Sequence, residues 1–134
     1  MIKRYIDVDG YWGIVFCYDY DMLDMDEMAA IMDSFGVDDR EIRRALRILM
    51  GTNTGMTISR HDITMSVVFI SEASSLEQFI DTCSHEVDHV QASILQHYGI
   101  PQGDEDGAWL QGYIMREITR ILHKDGVIKE GSHF

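Results

Sequence analysis

Residues 74–98 read SSLEQFIDTCSHEVDHVQASILQHY, and this segment decides the fold. Its start, Ser74 followed by Glu77, matches a capping box, in which a hydroxyl and a carboxylate bind the free amides of a first helical turn. The helix is predicted to run to about Tyr98, because Gly99 and the residues after it break the chain. A single long helix is therefore expected to organise the second half of the molecule.

The motif HEVDH, residues 85–89, lies within this helix. Four residues advance a helix by about 6 Å and turn it by roughly 400°, so His85 and His89 project from one face. Two imidazoles at this spacing suit a zinc ion about 2.0–2.1 Å from each nitrogen. Glu86 is placed to take a proton from a water that the metal has made more acidic. The motif therefore predicts a Zn2+ site with His85 and His89 as ligands and Glu86 as the general base.

An acidic triplet, Asp104-Glu105-Asp106, stands where the next helix is expected to begin. A catalytic zinc usually has three protein ligands and one open position for water. The metzincin pattern is excluded, since it requires glycine and histidine where this chain has Ala92 and Leu95. We predict Glu105 as the third ligand, because its side chain reaches further than either aspartate. Asp104 would then cap the helix, and Asp106 would be solvated or support a ligand.

The remaining elements are predicted from hydrophobic periodicity and turn residues. They are strands Ile2–Val8 and Tyr11–Tyr20 around an Asp9-Gly10 hairpin turn, helices from about Asp24 to Phe35 and from Asp38 or Asp39 to Met50, a loop from Gly51 to Ser59, a strand from Ile63 to Ser71 and a last helix from about Asp104 to Lys124. The order β-β-α-α-β-α-α predicts one zincin-like domain over residues 1–134, of the α+β class. Its short antiparallel or mixed sheet of about three strands would pack on about four helices.

Composition restricts the class of partner. With 46% apolar residues, the 134-residue chain can bury a core as one domain. The net charge of −12, from 23 acidic and 11 basic residues, repels phosphate groups. Neither nucleic acid nor an anionic membrane is therefore an expected partner. No run of about 20 apolar residues occurs, and the start MIKRYIDVDGYW lacks the apolar run of a signal peptide, so we expect a cytoplasmic protein.

The sulfur-containing residues are predicted to pack in the core. Cys17 and Cys83 do not form a CxxC pair. Two helical residues turn the chain by about 200°, so Cys83 should face away from His85. Met22, Met25, Met28 and Met32 are likewise predicted to fill gaps in the core.

The run FIDTCSHEVDHVQASILQHYGIPQGDEDGAWLQGYI, residues 79–114, resembles small zincin-like HExxH proteins found in phages and prophages. In that family the helix after the HExxH helix begins with D-E-x-x-A-aromatic-L-x-G, which here is Asp104 to Gly112. The resemblance covers about residues 60–120. It implies a zincin-like metallopeptidase fold with Glu105 as the third ligand, and Trp109 stands where tyrosine is more usual.

These features predict a zinc-dependent hydrolase, with a peptide or protein as its substrate. A tetrahedral oxyanion would need a donor beside the metal, and the candidates are His61, His97, Tyr98 and Tyr113. The strand Ile63–Ser71 could pair with an extended peptide if its outer edge is free. The alternative is a non-catalytic binding or assembly protein that keeps the zincin scaffold. A purely structural zinc site is disfavoured, because the chain offers no cysteine cluster.

Overall fold

The computed structural model describes residues 1–51, 53–103 and 105–128. Its elements are β1 (Ile2–Val8), β2 (Trp12–Tyr20), a short 3-10 helix (Met22–Asp24), α1 (Met25–Ser34), α2 (Asp39–Met50), β3 (Gly55–Arg60), β4 (Met65–Ser71), α3 (Leu76–Tyr98) and α4 (Glu105–Lys124). The α+β class and the four predicted helices are confirmed. The prediction of about three strands is not, and neither is the order that followed from it, because the described residues form a sheet of four strands.

The additional strand is β3, which lies in the segment predicted to be a loop. All six residues of β3 are half-buried, so the segment shows no alternation between buried and exposed positions. It is held by antiparallel pairing with β4, from Gly55 opposite Ile70 to Arg60 opposite Met65. A strand that is stabilised mainly by pairing with its neighbour shows little of the hydrophobic alternation from which strands are predicted.

The sheet is mixed and has the strand order β1-β2-β4-β3. β1 runs antiparallel to β2, β2 runs parallel to β4, and β3 runs antiparallel to β4. The strand predicted at Ile63–Ser71 corresponds to β4 and has a neighbour on each side, so the condition for peptide pairing there, a free outer edge, is not met. Its central five residues are all buried, as expected of an interior strand. Among the described strands, the outer ones are β1 and β3.

The hairpin between β1 and β2 turns at the predicted dipeptide. Asp9 and Gly10 both have positive φ, +50° and +78°, as a type I′ turn requires. The amide of Tyr11 donates to the carbonyl oxygen of Val8 at 3.1 Å and closes the turn. The hairpin prediction is confirmed.

Each face of the sheet buries its own apolar cluster. Along β4, Val68 and Ile70 pack with residues of α3 and α4, in what we call the α3–α4 core. Val67 and Phe69 alternate with them and pack with residues of α1 and α2, in the α1–α2 core. This period of two is what places a helical pair on either side of the sheet.

The two free cysteines are divided between these cores, Cys17 in the α1–α2 core and Cys83 in the α3–α4 core. Burial raises the pKa of each thiol to about 12. Their predicted packing role is confirmed. Met28 and Met32 are also fully buried, whereas Met22 is 70% exposed, because it lies in the short 3-10 helix before α1 rather than on a packed face.

The long helix α3 starts one residue later than the capping box suggests. Its N-cap is Ser75, whose hydroxyl accepts from the amide of Gln78 at 3.1 Å, and the predicted cap at Ser74 is wrong. The Gln78 side chain instead accepts from the amide and hydroxyl of Ser74. α3 ends at Tyr98, and Gly99 follows with φ of +68°. Among the described helices, none combines the length and the apolar character that crossing a bilayer demands.

Candidate metal centre and catalytic groove

His85 and His89 lie side by side on α3, as the four-residue spacing predicts. Their ring centroids are 4.9 Å apart, and the rings are nearly perpendicular, at 86°. Both residues are exposed, so their nitrogens are accessible to an ion from solvent. Imidazole is a donor that zinc readily accepts. The chemistry and placement of this pair therefore fit two positions of a zinc site.

The histidine pair opens into a groove between α3 and β3 with a volume of about 510 Å³. α3 lines it with His85, Glu86 and His89 and with residues one and two turns further on. β3 lines the opposite wall, and His61, in the turn after β3, lines the groove as well. The groove therefore contains the three defining side chains of the HExxH motif and one further histidine.

Glu86 is the buried member of the motif, with 5% of its surface exposed. A buried carboxylate is costly unless hydrogen bonds compensate it. The Thr57 hydroxyl of β3 donates to Oε1 of Glu86 at 2.8 Å and also lies 3.2 Å from the Glu86 carbonyl oxygen. Thr57 was not among the residues expected at the site, because its segment carries no strand signal of its own.

Gly55 allows β3 to lie this close to α3. A Cβ atom there would stand 3.0 Å from Cγ2 of Thr82 and 3.1 Å from Cγ of Glu86. Such separations are tighter than nine in ten real Cβ contacts. The absence of a side chain at the first position of β3 thus sets the width of the groove at Glu86.

The charge of Glu86 also acts on two neighbouring groups. Burial raises the pKa of Tyr20 to about 12, and the Glu86 carboxylate adds to the effect. The same two causes, in the same order, raise the pKa of Cys83. The Tyr20 hydroxyl is buried and has no hydrogen-bond partner among the residues that the structure describes. Two buried groups, Tyr20 and Cys83, therefore lie close enough to Glu86 for its charge to act on them.

Glu105 begins α4 and is exposed. The described lining of the groove comes from α3, β3 and residues that flank β3, and none of it comes from α4. Across residues 1–51, 53–103 and 105–128, no three or more histidine, cysteine or acidic side chains come together in a group that could hold a metal ion. The role of Glu105 as third ligand stays a prediction. Asp104 lies outside the described residues, and Asp106 lines a separate, mainly apolar pocket.

α4 packs along α3 beside the motif. A Cβ atom at Gly107 would stand 2.8 Å from Nε2 of Gln91, so the helices are in close contact there. A second contact joins the helices two turns earlier on α3. There the carbonyl oxygen of Ser84 accepts a hydrogen bond from the Gln111 side chain of α4 at 3.2 Å. These contacts fix the start of α4 next to the helix that carries the histidines.

The four candidates for an oxyanion donor are now separated by position. Tyr98 donates its hydroxyl hydrogen to the carbonyl oxygen of Tyr11 at 2.8 Å, and Tyr113 donates to that of Asp7 at 3.3 Å. Neither tyrosine is in the described lining of the groove, and nor is His97, whereas His61 is. His61 is therefore the candidate that a substrate in the groove would reach.

Comparison of the chain with protein families, with curated proteins and with solved structures gives no match. The resemblance to the phage HExxH proteins remains a prediction. The site is therefore interpreted from its own geometry.

Proposed function

We propose that the protein is a zinc-dependent hydrolase, and specifically a peptidase. His85, His89 and Glu105 are the proposed zinc ligands, and Glu86 is the proposed general base. One observation carries the proposal: two accessible imidazoles and a buried, hydrogen-bonded carboxylate open into one groove beside an outer strand of the sheet. Two solvated histidines on a surface helix would not require a carboxylate to be buried between them and β3.

Bound zinc would supply Lewis acidity, which lowers the pKa of a water and polarises a carbonyl group. Glu86 accepts the proton of the attacking water and then passes it to the leaving amine. Thr57 holds Oε1 of Glu86 and leaves the second oxygen available for proton transfer. The low exposure of Glu86 limits how many solvent waters can contact that oxygen.

The outer edge of β3 is the proposed place for the substrate backbone. An extended peptide can add to a sheet edge through main-chain hydrogen bonds. β3 pairs with β4 on one side, and its residues Thr57 and Ser59 line the groove. A bound peptide should slow hydrogen exchange at the outward amides of β3, and unchanged exchange there would exclude this binding mode.

The deciding experiment combines metal content with turnover. Wild-type protein dialysed free of loosely bound metal should retain zinc, and His85→Ala and His89→Ala should lose it. His123→Ala, which changes an exposed histidine at the end of α4, is the matched control and should retain zinc. Glu86→Gln should retain zinc but hydrolyse a pool of quenched fluorescent peptides at least about 100-fold more slowly. Equal turnover by Glu86→Gln and wild type would overturn the mechanism.

A separate pair of variants tests Glu105 as the third zinc ligand. Glu105→Gln should lower the zinc affinity by about tenfold or more, whereas Asp106→Asn, one residue on, should not. An unchanged affinity in Glu105→Gln would remove Glu105 from the ligand set without touching the roles of His85 and His89.

The alternative, a non-catalytic binding or assembly protein, is favoured by the lack of a three-ligand group within the described part of the chain. It predicts that zinc-loaded wild type and Glu86→Gln hydrolyse the peptide pool equally little. The same measurement therefore separates the two functions.

A further inference from the structure

A second pair of histidines meets at the far end of the groove. His61 lies in the turn after β3, and His97 lies in the last turn of α3. Their Nδ1 atoms are 3.3 Å apart, although the residues are 36 positions apart in sequence. His97 follows His89 by eight residues, or about 12 Å along the helix, so this pair is distinct from the HExxH pair.

The distance between the two nitrogens is that of a hydrogen bond between the rings, and it is also the distance between two nitrogens that share a metal ion. Hydrogen bonds from nitrogen usually span about 2.7–3.2 Å between heavy atoms, so the 3.3 Å contact lies just past the long end of that range. Two nitrogens that each lie about 2.0–2.1 Å from a tetrahedral zinc are separated by about 3.3–3.4 Å. His61 and His97 are therefore already at the separation that one cation would impose.

The surroundings hold the two rings in place. Trp12 is buried and packs against both, with its ring centroid 5.8 Å from that of His61 and 5.5 Å from that of His97. Its indole nitrogen donates to the Ser66 hydroxyl at 3.0 Å, which fixes the indole on the sheet. A donor pair held on a rigid support loses less conformational freedom when a ligand binds.

The local charge also suits a cation. The nearest positive side chain in sequence is Arg60, which forms an ion pair with Asp62 and donates to the carbonyl oxygen of Phe35. Its charge is thus compensated by a carboxylate next to His61. Both histidines are exposed, so an ion from solvent reaches them without any rearrangement.

We propose that His61 and His97 form a second metal site, which takes a divalent transition-metal cation such as Zn2+. Water would complete its coordination, since the two imidazoles are the donors that the geometry provides. The bound cation would join the turn after β3 to the end of α3 and so close one end of the groove. This site uses Nδ1 of His61 and of His97, and its test does not require the proposed hydrolase activity.

The test is a zinc titration in a protein that lacks the first pair, His85→Ala/His89→Ala. Calorimetry should show one equivalent of Zn2+ bound, with the imidazole 15N resonances of His61 and His97 shifting together. Adding His61→Ala or His97→Ala should weaken this binding by about tenfold or more, while adding His123→Ala should leave it unchanged. Zinc should also raise the melting temperature of the background protein but not of the His61→Ala form.

Two results would overturn the proposal. One is no zinc binding by the His85→Ala/His89→Ala protein. The other is binding that persists undiminished when His61 or His97 is replaced. If the background protein does not fold, the wild type serves instead: its 15N spectrum must show both pairs shifting with zinc, and His61→Ala must remove the shift at His97 while sparing His85 and His89.

Discussion

Asp125, the residue after α4, connects the end of the described chain to the first two strands through hydrogen bonds. Arg4 donates to its Oδ1 from two nitrogens, at 2.8 and 3.2 Å, and the Tyr18 hydroxyl donates to its Oδ2 at 2.7 Å. The Arg4 guanidinium, and then the Tyr18 hydroxyl, hold the pKa of this carboxyl below its usual value. The group therefore contributes stability that is complete above the pKa of an unfolded aspartate, and that stability is lost as the pH falls through the lower folded pKa.

Asp125→Asn should lower the free energy of unfolding at pH 7 by about 1 kcal/mol, because an ion pair whose Arg4 side chain is exposed adds little beyond the hydrogen bonds. The difference from wild type should shrink as the pH falls below about 4, where the carboxyl of the unfolded chain takes up a proton, and it should vanish below the lowered pKa of the folded carboxyl. Urea unfolding at several pH values measures both effects. Asp33→Asn, on the exposed face of α1, should show neither, and a pH-independent loss in Asp125→Asn would contradict the assignment.

Thr57 supports Glu86 through one hydrogen bond to a charged group. Thr57→Val keeps the shape and the strand preference of the side chain but removes the hydroxyl. It should lower the free energy of unfolding by about 1.5–3 kcal/mol, because a buried carboxylate loses its donor. Thr57→Ser keeps the donor and should lie closer to wild type. Equal stability of Thr57→Val and wild type in urea unfolding would show that the bond contributes nothing.

Residue placement was predictable wherever helical spacing alone decides it. His85, Glu86 and His89 follow from four-residue periodicity, and their relative positions are as predicted. Thr57 could not be predicted, because its contact with Glu86 depends on how a strand and a helix meet in the folded molecule. The proposed ligand Glu105 is an intermediate case. The helix that carries it was predicted, but the length of a side chain does not determine the direction in which it points.

At the scale of elements, α4 contains two glycines in contrasting surroundings. A Cβ atom at Gly112 would meet no described atom within 4 Å, whereas one at Gly107 would lie 3.3 Å from the buried Leu95 side chain and closer still to Gln91. Gly112→Ala should raise the free energy of unfolding by about 0.5–1 kcal/mol through helix propensity. Gly107→Ala should gain less than Gly112→Ala, because the Gln91 amide must turn away and the Leu95 side chain must shift by a few tenths of an ångström. Thermal unfolding of both variants checks this, and equal stabilisation by both would contradict the close contact.

The helices were predicted more accurately than the strands. Helices with an apolar face and a cap were found to within one or two residues, as with Asp39–Met50 and its cap at Asp38. β3 was missed because its pairing with β4 supplies the stability that its own sequence does not. Whether Ile63–Ser71 has a free edge could not be predicted for a related reason: the order of strands depends on contacts distant in sequence.

At the scale of the whole molecule, the net charge of −12 is opposed by few ion pairs. Within the part of the chain that the structure describes, side-chain ion pairs occur at Arg4–Asp125, Arg60–Asp62 and Arg120–Glu117. Repulsion among carboxylates should therefore dominate the electrostatic free energy.

Raising the NaCl concentration from about 0.01 to 0.15 M shortens the screening length from roughly 30 to 8 Å. The melting temperature should rise by a few degrees, because screening weakens the repulsion between carboxylates more than it weakens three local pairs. Scanning calorimetry at fixed pH measures the change. A fall in melting temperature would mean that attractive pairs dominate instead.

The sheet topology is the part of the whole fold that the sequence left open. Composition and periodicity predict a single α+β unit. They do not predict that β4 inserts between β2 and β3, parallel to one and antiparallel to the other. That arrangement places β3 at the outside of the sheet, and hence creates the groove.

The two tryptophans of the chain occupy opposite environments. Trp12 is 1% exposed and touches both histidines at the groove end, whereas Trp109 is 56% exposed on α4. Indole emits at shorter wavelength in apolar surroundings, and a nearby paramagnetic ion such as Cu2+ quenches it. The intrinsic fluorescence therefore has a blue component from the sheet and a red component from the surface. Selective quenching of the short-wavelength emission would therefore show that an ion binds beside Trp12, without any added label.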